Sequence, residues 1–221
     1  MKVELKEEHL AYNDFFKIFA GYLRFEKFNG EMSEDVRRLC LDRGDAVAVV
    51  LFNRQTNKLV LIEQFRYPVY RALKGENGPQ EPNGWLCELV AGVVEAGETP
   101  EEVVAREVME EAGYRIKNVK LLSTVFPSPG GISERVYIFY AEVAGRENAG
   151  GGLAVEHEDI RVMELPVSKV YAMLKKGQFE DAKTVIGLLQ AEKLIRRQRR
   201  GRATITKRRK TISGKGKKPR A

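Results

Sequence analysis

The stretch GVVEAGETPEEVVAREVMEEAGY, residues 92–114, decides how the rest of the chain is organised. It carries one cation and seven glutamates, namely Arg106 and Glu95, Glu98, Glu101, Glu102, Glu107, Glu110 and Glu111. Thr99 and Glu102 form a capping box, Pro100 suits the first helical position, and Gly113 suits a left-handed C-terminus. These signals predict a helix from about residue 100 to residue 112.

The predicted helix has two chemically different faces. At about 100° per residue, one face gathers Val104, Ala105, Val108 and Ala112, and the other gathers Glu107, Glu110 and Glu111. A solvated face is the usual meaning of a charge run. However, like charges four residues apart cost a few tenths of a kcal/mol. Mg²⁺ is bound by carboxylates together with substrate phosphates, so the acidic face is also a plausible platform for Mg²⁺ or Mn²⁺.

The spacing of the stretch matches a known pattern. Gly92 is followed by five residues, then Glu98, then seven residues, and then REVMEEAGY from Arg106 to Tyr114. This arrangement resembles a complete Nudix box, with every fixed position filled. The resemblance implies a Nudix hydrolase fold and a divalent cation held by the box helix.

The remaining chain predicts an α/β fold. Apolar runs at residues 46–52 and 59–65 indicate strands covered on both faces. Further strands are predicted at 22–28, 36–41, 85–90, 119–126, 135–143 and 160–165, and amphipathic helices at 166–176 and 181–197. Strands interleaved with helices predict an α/β/α sandwich, the Nudix fold with a mixed sheet.

Three regions are predicted. Residues 1–44 form a small N-terminal β element, residues 45–192 form the hydrolase domain, and residues 193–221 form a basic tail. This tail holds 14 Lys and Arg and no acid, which leaves 24 basic against 31 acidic residues elsewhere, a net charge of −7. A tail of this kind can bind nucleic acid, but it lacks aromatics that stack on bases. A disordered, solubilising extension is therefore favoured.

The composition of the chain predicts the cellular compartment of the protein. There are two cysteines, Cys40 and Cys87, and the first ten residues are charged throughout, unlike a secretion leader. No apolar run approaches the roughly 18 residues that a membrane span requires. We expect a cytoplasmic protein without a membrane partner, whose thiols are reduced and buried.

A glycine-rich loop follows the predicted strand at 135–143. Gly150, Gly151 and Gly152 are expected to make this loop mobile, and it ends in Glu156, His157, Glu158 and Asp159. These acids are either a solvated loop end or, beside a metal platform, a further metal ligand and a general base on a closing loop.

More of the chain is similar to one branch of the Nudix family. The matching segments are NGEMSEDVRR (29–38), LIEQFR (61–66), WLCELVAG (85–92), SPGGISE (128–134) and EHEDIRV (156–162). Together with Pro129, 16 residues beyond Gly113, they resemble bacterial ADP-ribose pyrophosphatases. The segments AGGG (149–152) and DAKTVIGLLQ (181–190) look as much like GDP-mannose pyrophosphatases.

This resemblance implies a role for individual residues at the metal. Glu107 and Glu111 would be the main carboxylate ligands, with Glu110 assisting in catalysis and the Ala91 carbonyl completing the site. Glu158 would be a further ligand and Glu156 the general base. Because His157 separates these two glutamates where relatives have another polar residue, the division of roles between them stays open.

The resemblance also implies the substrate contacts. Arg38 and Arg66 would grip the diphosphate or the terminal ribose. The N-terminal segment would cross to the partner subunit of a homodimer, where Phe15, Phe16 or Tyr22 could stack on the base. The expected reaction is metal-dependent cleavage of ADP-ribose to AMP and ribose 5-phosphate, and the alternative substrate is GDP-mannose or another nucleoside diphosphate sugar.

Overall fold

The computed structural model describes residues 1–74, 84–153, 155 and 158–213, with side chains described as far as residue 199. Its strands are β1 (Val3–Asn13), β2 (Lys17–Phe25), β3 (Val36–Asp42), β4 (Ala46–Asn53), β5 (Lys58–Phe65), β6 (Trp85–Glu88), β7 (Val90–Val93), β8 (Tyr114–Val125), β9 (Val136–Arg146) and β10 (Arg161–Pro166). Its helices are α1 (Tyr67–Leu73), α2 (Pro100–Glu107), α3 (Val167–Lys175) and α4 (Ala182–Ser213), and a π-turn (Val108–Ala112) directly follows α2.

Seven strands form one mixed sheet. Strands β10, β5, β4, β9 and β8 lie side by side in this order, while β6 pairs with β5 and β7 pairs with β4. Strands β4 and β9 are parallel, and the other pairs are antiparallel. Helices α3 and α4 pack on one face, and α2 with the π-turn packs on the other. The predicted α/β/α sandwich is confirmed.

Strand β4 shows why the chain adopts this layered arrangement. All eight of its residues are buried. Side chains from Ala48, Val50 and Phe52 face the α4 side, and those from Val47, Val49 and Leu51 face the α2 side. Because burial of a Val, Leu or Phe side chain contributes about 1.5–3 kcal/mol, this strand stabilises both layers at once.

Residues 1–42 form a separate antiparallel sheet in the order β1-β2-β3. Strand β1 is exposed along its whole length, and its exposed side chains include Val3, Leu5 and Tyr12. The sequence analysis did not predict β1, because its charged residues gave no buried pattern. The small sheet is joined to the hydrolase domain where the Leu41 N–H donates to the Gly131 carbonyl at 2.8 Å.

Helix α4 differs from the expected boundary at residue 193. It continues without a break from Ala182 to Ser213, and Ile195 is fully buried in the core. The domain therefore extends at least one turn further than predicted, because this apolar side chain completes the face of α4 that packs on the sheet. Residues 214–221 of the tail lie outside the described residues.

Two expectations about the surface can be compared with the described residues. Both cysteines are free and half-buried, so Cys40 and Cys87 are less buried than expected. Burial still raises the pKa of Cys87 to about 12. Among the described residues, no helix combines the length and apolarity needed to cross a membrane.

Candidate active site

The predicted start and end of the acidic helix are confirmed. The Thr99 hydroxyl accepts a hydrogen bond from the Glu102 N–H, and the Glu102 carboxylate accepts one from the Thr99 N–H, which completes the capping box. Pro100 occupies the first turn. Gly113 ends the segment with φ 74°, in the left-handed region that favours glycine.

The segment between these ends is not one regular helix. It is α-helical only as far as Glu107, and residues Val108–Ala112 form a π-turn. A π-turn places one extra residue in a helical turn, so side chains after Glu107 do not follow the 100° spacing that the sequence analysis assumed. Consequently Glu111, predicted on the acidic face, is only 2% exposed. Ala105, predicted to pack, lies before the π-turn and is exposed because Val103 and Val104 form the buried face of α2.

Strand β7 lies directly against the two carboxylates predicted as metal ligands. The Ala91 N–H donates to Glu111 Oε2 at 3.2 Å. A Cβ on residue 92 would lie 1.9 Å from Glu107 Oε1. Gly92 is therefore required for Glu107 to lie across the strand, which explains why the box begins with glycine.

Burial and mutual repulsion disfavour the charged forms of these carboxylates. The pKa of Glu107 is raised to about 7, first by burial and then by the charges of Glu110 and Glu158. The pKa of Glu111 is raised to about 8 by burial, by Glu107 and by Glu158. Because a nearby cation favours the ionised form of a carboxylate, such a group would restore their charge. Glu158 contributes to both raised pKa values, so it lies close enough to Glu107 and Glu111 to repel their charged forms.

Arg106 neutralises part of this acidic site. Its guanidinium donates to Glu107 Oε1 at 2.8 Å, to Glu110 Oε2 at 3.2 Å and to Glu98 Oε1 at 3.1 Å. The contact with Glu98 ties the loop that precedes the helix to the helix itself. Arg106 also occupies the side of Glu107 where a metal ion would compete with it.

The positions and chemistry of these carboxylates show whether they suit a divalent cation. Within the described part of the chain, no three His, Cys, Asp or Glu side chains already stand close enough together to hold an ion. Glu107, Glu111 and Glu158 nevertheless supply the oxygen donors that Mg²⁺ and Mn²⁺ take, and the raised pKa values of Glu107 and Glu111 indicate that these two carboxylates lack a sufficient positive charge nearby. The residues fit such an ion once Glu107 turns away from Arg106.

The glycine-rich loop is fixed to the π-turn rather than free. Gly150, Gly151 and Gly152 have φ values of 57°, 111° and 82°. The Gly151 N–H donates to the Glu111 carbonyl at 2.8 Å, and the Gly152 N–H donates to the Glu110 carbonyl at 3.2 Å. These hydrogen bonds satisfy carbonyls that the end of the helix leaves without intrahelical partners.

The same loop holds Glu158 in place. Glu158 Oε2 accepts a hydrogen bond from the Leu153 N–H at 3.0 Å. A Cβ on residue 152 would lie 2.5 Å from this oxygen, so only glycine leaves room for the carboxylate. Glu156, the predicted general base, and His157 lie outside the described residues.

Arg66 and Arg38, the two predicted substrate contacts, lie on different sheets. Arg66 donates to both carboxylate oxygens of Glu88, with Nε and Nη2 at 3.2 and 2.9 Å. Burial acts against the charge of Arg66, but Glu88 outweighs this effect and raises the pKa of the guanidinium. Arg38 is exposed on β3 and donates to the Arg37 carbonyl at 3.1 Å. The two arginines therefore lie on different elements and have different partners within the chain.

The aromatic residues proposed to stack on the base are exposed. Phe15 is 86% exposed, and its ring contacts Phe16 edge-on, with 4.8 Å between the ring centroids. Tyr22 is 36% exposed and stacks on His9. All three lie in the small N-terminal sheet or its first turn.

The sequence analysis missed a buried polar network beside Arg66. Lys183 Nζ donates to Glu88 Oε2 at 3.0 Å and to Asp181 Oδ1 at 2.9 Å. Asp181 also accepts hydrogen bonds from the N–H and hydroxyl of Thr184 at the start of α4. The Thr184 hydroxyl in turn accepts the Leu89 N–H at 2.9 Å.

This network fixes the point where β6 passes to β7. Leu89 stands between these strands, which pair with different neighbours, and its buried N–H is satisfied by Thr184 rather than by a strand. Glu88 and Ala91, on either side of Leu89, face Arg66 and Glu111 respectively. The sequence offered two signals for the network, a glutamate inside an apolar strand and the Asp-x-x-Thr spacing of a helix cap.

Comparison with known proteins agrees with this geometry. The NUDIX domain family model matches residues 42–186. A GDP-mannose pyrophosphatase of Pectobacterium atrosepticum is 36% identical over 191 residues, which cover 86% of this chain and 93% of that protein. An ADP-ribose pyrophosphatase of Escherichia coli K12 is 38% identical over 187 residues, which cover 84% and 86%.

A solved structure shows the same fold. The crystal structure of an ADP compounds hydrolase superposes with a TM-score of 0.67 at 19% identity, covering 90% of this chain and 96% of that one. The family match, the sequence relatives and this fold all include the acidic segment and the sheet on which it packs. The chain therefore belongs to the NUDIX domain family.

Proposed function

We propose that the protein hydrolyses the diphosphate bond of a nucleoside diphosphate sugar, with ADP-ribose as the favoured substrate. The observation that carries this proposal is the coupling of the three carboxylates Glu107, Glu111 and Glu158 beside the Arg66–Glu88 pair. Arg66 can bind an anion, and the carboxylates need a cation beside them to hold their negative charge. A substrate whose phosphates carry a divalent metal ion meets both requirements.

Mg²⁺, or Mn²⁺ in its place, is the proposed cofactor. Glu107, Glu111, Glu158 and the Ala91 carbonyl would hold it, and Glu110 would assist from the next position of the helix. When bound, a divalent ion neutralises phosphate oxygens and lowers the pKa of a coordinated water. The chain itself orients the carboxylates of the site. Gly92 leaves space for the Glu107 side chain, and Gly152 leaves space for the Glu158 side chain.

The proposed reaction needs one proton acceptor and two anion contacts. Glu156 would take a proton from water as the water oxygen bonds to phosphorus and the bridging P–O bond breaks. The products are then AMP and ribose 5-phosphate, two phosphate monoesters. Arg66 would grip phosphate or ribose oxygens with the donors that Glu88 leaves available, since a guanidinium carries five N–H groups.

A homodimer would complete the site. The small N-terminal sheet and its first turn expose Phe15, Val3 and Leu5, and Arg38 is exposed on strand β3 of this sheet. We propose that Arg38 and one of the N-terminal aromatics act on the site of a second copy. The free cysteines support a reducing compartment, the cytoplasm.

GDP-mannose is the second proposed substrate. The relative named GDP-mannose pyrophosphatase matches this chain over 93% of its length at 36% identity, close to the 38% of the ADP-ribose pyrophosphatase. In addition, the segments at 149–152 and 181–190 resemble that group, and they contain the glycine-rich loop and Lys183. Both candidates share the same bond cleavage and differ in the base and sugar.

A hydrolysis panel tests the proposal. Purified full-length protein would be incubated with ADP-ribose, GDP-mannose, UDP-glucose and ADP-glucose, each with Mg²⁺, Mn²⁺ or EDTA, and products would be separated by ion-exchange chromatography. We expect the highest kcat/KM with ADP-ribose and no turnover in EDTA. A matched Glu111→Gln protein should be inactive. Equal turnover by both proteins, or turnover that survives EDTA, would contradict the proposed function.

A further inference from the structure

Excess positive charge is concentrated at the C-terminal end of the chain, beyond the catalytic domain. The basic arm, residues 193–221, contains 14 of the 38 Lys and Arg residues and none of the 31 acids. Residues 1–192 therefore carry a net charge of −7, although the whole chain carries +7. The arm also lies beyond residues 42–186, where the family match ends. The catalytic domain needs no such concentration of charge.

The arm is rooted firmly in the domain. It is the continuation of α4, whose residues Leu188, Ala191 and Ile195 are fully buried. The backbone remains helical to Ser213. At 1.5 Å per residue, the 18 residues after Ile195 extend about 27 Å, so the backbone of the arm is elongated rather than compact.

The first described turn of the arm shows how little of its charge is neutralised. Arg196 Nη2 pairs with Glu192 at 2.6 Å, and the Arg196 side chain is still 63% exposed. Lys193, Arg197 and Arg199 are exposed and stand three or four residues from other cations. Such like-charge spacing costs a few tenths of a kcal/mol per pair. An extended polyanion would remove this cost.

We infer that the basic arm binds the phosphate backbone of double-stranded nucleic acid. Residues 196–221 contain no aromatic residue, and no Leu or Met. The absence of aromatics disfavours unstacked single-stranded bases. Only two large apolar residues, Ile205 and Ile212, are present among many cations, and this composition disfavours insertion into a lipid surface. The arm instead contains many cations and none of the aromatic side chains that stack on bases. Such a segment suits the regularly spaced phosphates of a duplex, which carry no sequence information.

This binding site is independent of the proposed hydrolase activity. The negative charge of residues 1–192 opposes association with nucleic acid, so the arm must supply the whole attraction. The arm would hold the enzyme on a polyanion while the acidic site faces free substrate. Loss of either function should leave the other one measurable.

The test compares two variants of equal net charge. The first replaces Lys207, Arg208, Arg209 and Lys210 in the arm with Gln. The second replaces four exposed lysines of the domain with Gln, namely Lys117, Lys120, Lys169 and Lys176. Binding of full-length protein to a fluorescent 24-base-pair DNA duplex of mixed sequence would be measured by anisotropy from 50 to 300 mM KCl.

We expect wild type and the domain variant to bind with the same steep salt dependence. The arm variant should lose about 3.6 units of the log Kobs against log [KCl] slope, or about 0.9 for each of four phosphate contacts, and bind about a hundred-fold more weakly at 100 mM KCl. Hydrolysis by all three proteins should be equal, which shows that the variants are folded.

Four results would overturn the inference. The first three are duplex binding that is unchanged in the arm variant, an equal loss in both variants, and tighter binding of wild type to vesicles of 30% phosphatidylserine than to the duplex at the same salt concentration. The third result would assign the arm to a lipid surface. The fourth is preference for a 24-nucleotide single strand over the duplex, which would likewise contradict the proposed backbone contact.

Discussion

The acidic segment, residues 100–112, and the basic arm each collect charge of one sign, yet the fold treats them differently. Glu111 is almost completely buried and Glu107 lies against a glycine of β7, whereas Arg196, Arg197 and Arg199 at the start of the arm are exposed. Buried like charges converge on a point and suit a small, dense cation. Exposed like charges spread along a line and suit a long anion. Burial, more than charge count, therefore distinguishes the two kinds of ligand.

The largest effect should come from removing a buried negative charge from the acidic segment. We expect Glu111→Gln to lower kcat/KM for ADP-ribose by about a thousand-fold or more, as expected when a metal ligand required for transition-state stabilisation is lost. Thermal stability should be equal or higher, because a buried, repelled carboxylate has been neutralised. The matched control is Glu101→Gln on the exposed first turn, which should retain wild-type rates. Similar rates in the two variants would remove Glu111 from the site.

A second experiment separates the two loop glutamates. We expect Glu156→Gln to lower kcat by about a hundred-fold or more while Mn²⁺ affinity stays near wild type, since a general base acts on the proton and not on the metal. Glu158→Gln should instead weaken Mn²⁺ binding, measured by electron paramagnetic resonance without substrate. If the two variants exchange these behaviours, the assignment of base and ligand must be reversed.

A smaller effect is expected from crowding Glu158 without changing its charge. In Gly152→Ala, the new Cβ would meet the Glu158 carboxylate, and φ 82° is unfavourable for alanine. We expect Mn²⁺ affinity to fall about tenfold, the lower end of the range for residues that orient metal ligands. Gly145→Ala is the control, because nothing lies within 4 Å of its Cβ position. Unchanged Mn²⁺ affinity in Gly152→Ala would show that the loop does not position Glu158.

The smallest effect concerns stability and pH in EDTA. Glu107 and Glu111 have pKa values of about 7 and 8 in the folded protein, against 4.5 for the free side chain. The folded state therefore binds more protons between pH 4.5 and 8, and its stability should fall as pH rises through this window. Each proton contributes up to about 1.4 kcal/mol per pH unit. In urea denaturation, Glu111→Gln should show a shallower fall than wild type, and an equal or steeper fall would contradict the raised pKa of Glu111.

The sequence predicted what depends on local pattern. The buried strand at 46–52 could be recognised because its apolar run is covered on both faces, and the ends of the acidic helix because Thr99, Glu102 and Gly113 have specific backbone preferences. The box also indicated Glu107 and Glu111, since its spacing carries family information that periodicity lacks.

Features that depend on distant contacts could not be predicted in this way. Strand β1 has no buried face, so its charged residues resembled an irregular segment. Glu88 and Lys183 are 95 residues apart in numbering and meet only through the packing of α4 on the sheet. The position of Arg38 relative to Arg66 depends on the arrangement of two sheets, and no local pattern encodes this arrangement.

The π-turn fixes the direction of Glu111 through the geometry of the backbone. Closing Val108–Ala112 into an ordinary helix of the same length would leave every glutamate in the sequence, yet it would rotate Glu111 about the helix axis and away from β7. Deleting Met109, by contrast, would remove the extra residue, so the shortened segment would form an ordinary helix with Glu111 close to its present direction. In this protein, one additional residue sets the angle between Glu107 and Glu111, so a substitution that favours a regular helix there would disturb the site without changing a carboxylate.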